Sequence, residues 1–207
     1  MPGPMTLHRA ASHTFNWRIE LPVLSGRIVT LREPVADDCE ALVALLSIPD
    51  ASRFTSHDAP GPIEVQQLIA RAISERAAGT AFTYAIAFAA TGHIIGLLQV
   101  RQLDPLFEAA FWDCTLATEA RGTGAFWEAA HLVASFAFLT AGASRLEARI
   151  DLSNVRAKTA LRKIGAVQEG ILRRSGRRGH EYIDQALWAV LKDAWEFDSL
   201  PPAVVIH

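Results

Sequence analysis

The chain has 207 residues, half of them hydrophobic and a fifth charged, with a formal net charge of −2. That length is enough to bury a real core in one domain, and the near-neutral balance gives no reason to expect nucleic acid or an anionic membrane as partner. Cys39 and Cys114 lie in apolar segments without CxxC spacing, which argues against a zinc site or a disulfide framework and fits a reducing cytoplasm; no apolar run reaches the ~18 residues of a membrane span, and no basic-then-apolar leader opens the chain.

Residues 1–20 read as an N-terminal arm, 21–198 as the folded domain and 199–207 as a tail. Arg27–Arg32 alternates and is β-branched, which predicts a strand ended by Pro34. Asp37-Asp38 then cap a helix with Cys39, Leu42, Val43, Leu45 and Leu46 on its apolar side. Residues 49–61 form a loop. A second helix spans Pro62 to Ala78, with Pro62 in its first turn and Ile63, Leu68, Ile69 and Ile73 as its apolar face.

Phe82–Phe88 and Ile94–Arg101 form a hairpin about Gly92, and Phe111–Leu116 is a further strand. A long apolar helix covers Phe126–Leu139 and stops at Gly142. A strand at Arg145–Asp151, a helix at Asn154–Ile164 and a closing hairpin, Ala166–Arg173 with Tyr182–Leu191 around the loop Ser175–His180, complete the chain. Hairpins mixed with helical crossovers indicate an α/β (α+β) fold with a mixed sheet.

The densest signal is Arg121-Gly122-Thr123-Gly124-Ala125, between a strand and a helix. A glycine-rich turn opening a helix gathers unpaired N–H groups where the helix dipole is positive, and Arg121 adds a full charge, so the site suits an anion such as a diphosphate. A plain tight turn accounts for the glycines equally well. The stretch is not a P-loop, because Ala125 and Phe126 stand where Lys and Ser/Thr are needed. Nor is it a dinucleotide GxGxxG, whose third glycine is here Trp127.

Several motifs in this order resemble the GNAT superfamily of N-acetyltransferases, in the branch of the ribosomal-protein alanine acetyltransferases (RimJ/RimL-like). Gly26–Glu33 resembles the opening strand, and Thr118–Gly124 resembles the R/Q-x-x-G-x-G/A loop. Asp151–Asn154 with Leu161–Ala166 resembles the D-x-x-N…L-x-K-x-G-F block, and Gln168–Gly170 with Tyr182–Asp184 resembles the closing hairpin.

The resemblance implies a single-domain mixed sheet with a splayed central strand pair, 111–116 parting from 145–151, and helices on both faces. It implies acetyl-CoA as co-substrate and a primary amine as acceptor, a protein N-terminus or a small molecule. The diphosphate would sit on the N–H groups of Arg121, Gly122, Thr123, Gly124 and Ala125, and the thioester carbonyl near the N–H of Thr115 or Leu116. Asn154 would touch the pantetheine or an ordered water, or serve as a plain helix cap. Three residues depart from the pattern: Phe126, Ala157 and Ala166. The first two favour a rival, a catalytically weak acyl-CoA-binding module of the same fold.

Asp113, Glu108 and Glu147 are the candidate proton acceptors. Asp113 reads either as a desolvated acid of raised pKa or as a solvent-facing residue. Trp112 and His57 are candidates to line the acceptor pocket, while His131 reads as a core histidine. No Ser-His-Asp or Cys-His arrangement and no metal site stands out. Arg173, Arg174, Arg177 and Arg178 form a basic cluster, either an RNA or acidic-acceptor contact or a solvated turn balanced by Glu169, Glu181 and Asp184. The apolar Ala203–Ile206 is as compatible with a homodimer contact as with a disordered end.

Overall fold

The computed structural model describes residues 15–48, 59–179 and 181–195. In chain order the elements are β1 (Leu24–Ser25), β2 (Val29–Arg32), α1 (Cys39–Leu46), α2 (Pro62–Ala78), β3 (Ala81–Phe88), β4 (Ile94–Gln102), β5 (Ala109–Leu116), α3 (Ala125–Phe136), β6 (Arg145–Asp151), α4 (Val155–Lys163), β7 (Val167–Arg178) and β8 (Glu181–Leu191). The strands make one sheet ordered β1-β2-β3-β4-β5-β6-β8-β7. Among the described strands only β5 and β6 run parallel, so the loop and helix between them form the crossover that parallel pairing requires.

Successive strand residues point to opposite faces of the sheet, and β3 shows what each face holds. Phe82 and Tyr84 meet Phe136 of α3 edge-on at 5.1 and 5.9 Å, and Trp17 and Phe107 join Phe82 at 5.5 and 5.9 Å. Thr83 points the other way and accepts a 3.2 Å hydrogen bond from Gln99, which also reaches Glu75 of α2 at 3.3 Å. So α3 lies on one face and α2 on the other, giving the mixed α/β sheet that the sequence predicts, with the helices on both sides that the resemblance implies.

Four details differ from the sequence reading. The buried face of α2 is Val65, Ile69, Ala72 and Arg76, while Ile63 and Ile73 are 68% and 43% exposed. Arg76 can take a core position because its guanidinium donates to Glu33 at 2.6 Å and to the Arg18 carbonyl at 2.5 Å, which offsets the cost of burying a charge. Helix α3 ends at Phe136 and widens into one broad turn, in which the Ala137 carbonyl accepts from Gly142 and Ala143; Gly142 has φ +98°. A short β1, not anticipated, pairs with β2. Finally, β7 continues through the expected loop to Arg178. The pairing slips between Leu172 and Gly176, where Arg174 has φ +51° and donates its amide to Asp184 at 2.8 Å. This bulge absorbs the turn-like residues without ending the strand.

Candidate active site

The β5–β6 ladder holds three pairs, Ala109↔Arg145, Ala110↔Leu146 and Phe111↔Glu147, and then stops. Beyond it the strands part, as the resemblance implies. Which backbone groups face the gap follows from register. The Ala117 amide donates to Ile95 and the Ala109 carbonyl accepts from Leu103, both on the β4 side. Odd-numbered β5 residues therefore bond to β4, and even-numbered ones face β6 or the gap. On β6, Arg145 donates to Glu108 and Ser144 accepts from Lys192, so its odd residues face β5 and its even ones face β8.

The last bridge uses the Trp112 amide, by the alternation of a parallel ladder. The Cys114 amide is then the first N–H in the gap without a strand partner, followed by that of Leu116. Arg149 and Asp151 offer their backbone groups from the other side. Thr115, expected beside Leu116 at the thioester, turns its amide into the β4 ladder, so the gap-facing pair is Cys114 and Leu116.

The open end of the gap leads to the glycine loop. Gly122 and Gly124 take φ of +76° and +90°, which a side chain disfavours. Arg121 donates its amide to Thr118, and Thr123 donates both its amide and its hydroxyl to Ala120. The Thr123 hydroxyl in turn accepts from the Ala125 amide at 3.2 Å. Three of the five amides expected to cradle a diphosphate are thus spent inside the loop. Among the described residues, those of Gly122 and Gly124 have no partner. The Phe126 and Trp127 amides also precede the first helical bond, from Glu128 to Gly124, and join them at the positive end of α3.

Glu128, a residue the sequence reading passed over, braces this loop. The residue is 4% exposed, and its carboxylate accepts three consecutive amides, Arg27 at 2.8 Å, Ile28 at 2.7 Å and Val29 at 2.8 Å. A Cβ on Gly26 would lie 2.3 Å from that carboxylate, and one on Gly124 would lie 3.0 Å from Ile28. The β1–β2 turn therefore wraps the acid and lays Ile28 against the loop. The signal was a lone acid in the apolar run after the glycines.

Trp112 and Asp113 part to opposite faces. The Trp112 ring is 3% exposed and stacks on Phe126 at 6.4 Å under α3, so it supports the gap from behind and does not line an acceptor pocket. Asp113 faces the α2 side beside Gln99. Its side chain is exposed; desolvation by the surrounding protein pushes its pKa up, against a smaller downward pull from Arg101. Cys114 has its thiol pKa pushed far up by burial and by the Asp113 charge, which leaves it an inert thiol.

Glu147 is committed to Arg145 at 2.8 Å, and the same guanidinium holds Glu169 at 2.9 and 2.5 Å. Glu108 lies at the closed end, where its carbonyl accepts from Ser144 and Arg145. Asn154 caps α4, its side chain accepting from Ala157 at 3.0 Å. His131 is buried between Trp127 and Trp195, at 4.1 and 4.5 Å. His57 lies outside the described residues.

In the basic cluster, Arg178 pairs with buried Asp151, and Arg174 and Arg177 lie 4.9 and 5.4 Å from the Tyr182 ring. Glu169 is held by Arg145 and so does not balance that cluster. Among the described residues no group of three His, Cys, Asp or Glu is placed to hold a metal, and no helix is long and apolar enough to cross a membrane.

Solved structures share this architecture. An acetyltransferase of the GNAT family from Bacillus anthracis is 14% identical over 83% of this chain and 99% of its own, with a TM-score of 0.74. Mycobacterium smegmatis RimJ, solved in complex with CoA-disulfide, is 18% identical over 88% of each chain, with a TM-score of 0.72. The ribosomal-protein-S5-alanine acetyltransferase of Vibrio fischeri is 16% identical over 84% of this chain and 98% of its own, with a TM-score of 0.74. No curated protein sequence matches the chain. A family model, the acetyltransferase (GNAT) domain, matches residues 29–167, a span that holds the parted strands, the glycine loop and both helices after it. The chain belongs to the GNAT acetyltransferase family and is an acetyl-CoA-dependent acyltransferase.

Proposed function

We propose that the protein transfers an acetyl group from acetyl-CoA to a primary amine by direct attack in a ternary complex. The observation that supports this most is the pair of gap-facing amides at Cys114 and Leu116, on a line that ends at the Gly122–Gly124 cradle. Unpaired strand amides are costly unless a ligand or water satisfies them, and a pantetheine arm carries two amide groups that dock as an added strand would. The amides of Gly122, Gly124, Phe126 and Trp127 take the diphosphate, with Arg121 adding charge.

The Cys114 amide lies nearest the closed end, where the thioester reaches when the diphosphate is held at the open end. It therefore receives the carbonyl oxygen and the negative charge that grows there. Asp113, two strand residues past the last bridge, receives the ammonium proton. The C–N bond forms as the C–S bond breaks; the second nitrogen proton passes to the leaving sulfur, and Asp113 releases the first to water. The raised pKa of Asp113 suits this role, because a base poised nearer neutrality both takes and returns a proton. Asn154 contributes by fixing the start of α4 at the mouth of the gap. The bulk of Phe126, which favoured a weak-binding module, is absorbed by its stacking on Trp112. Paired with the two free cysteines, the reading fits a cytoplasmic enzyme.

Calorimetry with acetyl-CoA tests the reading, alongside mass spectrometry of a panel of amines. Acetyl-CoA binds the wild type, and Gly124→Val weakens it by about tenfold or more, because a β-branched residue is strained at φ +90°. Absence of binding heat, or equal affinity in the variant, would remove the proposal.

A further inference from the structure

The two lips of the gap carry opposite charges that do not meet. Phe111 and Glu147 form the last bridged pair. Two residues further, in the same register, Asp113 stands on β5 and Arg149 on β6, with side chains on one face. In an unbroken sheet the strands would lie about 4.8 Å apart and the two charges would pair. Here the strands have parted, and no ion pair joins them.

Arg149 also lacks both carboxylates nearest to it in sequence, Glu147 and Asp151, the second of which is held by Arg178. Arg145 takes both Glu147 and Glu169, leaving Arg149 to lie 5.9 Å from the Phe111 ring. Among the described residues Arg149 has no carboxylate partner. Arg101 flanks the same ring at 5.7 Å. The acceptor side of the gap is therefore a separated acid–base pair, Asp113 opposite Arg149, with a second guanidinium beside it.

We propose that the acceptor is zwitterionic, an amine carrying a side-chain carboxylate a few bonds away, with its ammonium at Asp113 and that side-chain carboxylate at Arg149. This rests on the acetyl-transfer reading above. A free acidic amino acid and the acidic first residue of a peptide both present this chemistry. A neutral amine leaves the Arg149 guanidinium without a counter-charge, and a dication meets repulsion there. A charge-assisted bond to a guanidinium is among the stronger single contacts a site can offer.

The test uses the full chain at saturating acetyl-CoA and acceptors in matched pairs: aspartate with asparagine, glutamate with glutamine, and C-terminally amidated peptides beginning Asp or Asn. The free amino acids also carry an α-carboxylate, so the amidated peptides isolate the side chain and separate the two sources. The acidic member is preferred in kcat/KM by about tenfold or more. Arg149→Gln brings that ratio close to one, mainly through the acceptor KM, and Arg149→Lys retains part of it. Arg149→Glu reverses the preference toward lysine amide. Acetyl-CoA affinity by calorimetry reports that the variants keep their fold. Equal use of both members by the wild type, or an unchanged ratio in Arg149→Gln, overturns the proposal while acetyl transfer stands. A wild type that binds no acetyl-CoA brings down both.

Discussion

The two faces of the sheet treat the same strands in opposite ways. On the α3 side, Phe82, Tyr84, Phe107, Phe136 and Trp17 interlock ring against ring. On the α2 side, the same strands present Thr83, Gln99, Arg101 and Asp113. Neighbours in sequence thus go to unlike environments, Trp112 into packing and Asp113 to an exposed position. The lesson is a division of labour: one face supplies the rigidity, and the other spends it on holding charged groups that packing alone would not tolerate.

Exchange of the acid on the polar face should have the largest effect. Asp113→Asn lowers kcat/KM by about 10²–10⁴-fold, the range of general-base losses, measured by initial rates. The same change should raise the thermal midpoint. Crowding raises the Asp113 pKa, so the folded state binds a proton more readily than the unfolded one. Its stabilising contribution is complete below the unfolded carboxylate pKa and is lost as pH rises through the folded value. The stability gap between variant and wild type therefore widens with pH across that window. Wild-type kcat/KM falls as pH drops through the same raised value. A variant that loses activity and stability together would erase the contrast between the faces.

Phe82→Ala on the packed face removes a fully buried ring and should cost about 3–5 kcal/mol in chemical denaturation. In the folded fraction, acetyl-CoA affinity should change little. A loss of affinity larger than the loss of folded protein would show that the packed face acts on the ligand directly.

Arg178→Ala gives the smallest effect, about 1 kcal/mol or less at neutral pH, because its side chain is 41% exposed and the charge is screened. Burial pushes the Asp151 carboxyl up, but the Ser153 hydroxyl and amide together with Arg178 hold it below the usual range. Its depressed folded value means that its stabilisation is present above the unfolded pKa and lost as pH falls through the folded one. The difference between variant and wild type should therefore vanish in acid, as read from thermal midpoints at several pH values.

Strand and helix positions were legible because period two and period 3.6 are local properties of the chain. The apolar face of α2 was not, since Arg76 enters the core through Glu33 and the Arg18 carbonyl, partners far away in sequence. The run through β7 was misread as a loop because Gly176 and its arginines carry turn chemistry that a bulge can also use. The glycine loop was legible as a tight turn opening a helix. Which of its amides are spent was not, because that depends on where the Thr123 hydroxyl turns. The splay came through the resemblance alone, because nothing within either strand records where its neighbour departs.

Glu128 binds amides that lie 101, 100 and 99 residues before it. During synthesis, the backbone at Arg27, Ile28 and Val29 must stay hydrated until more than half of the chain has left the ribosome. Contacts this distant pay loop-closure entropy before they return anything. The wrapping of this first turn is thus a late event in the protein's assembly, and the glycine loop gains the support of Ile28 only when it happens.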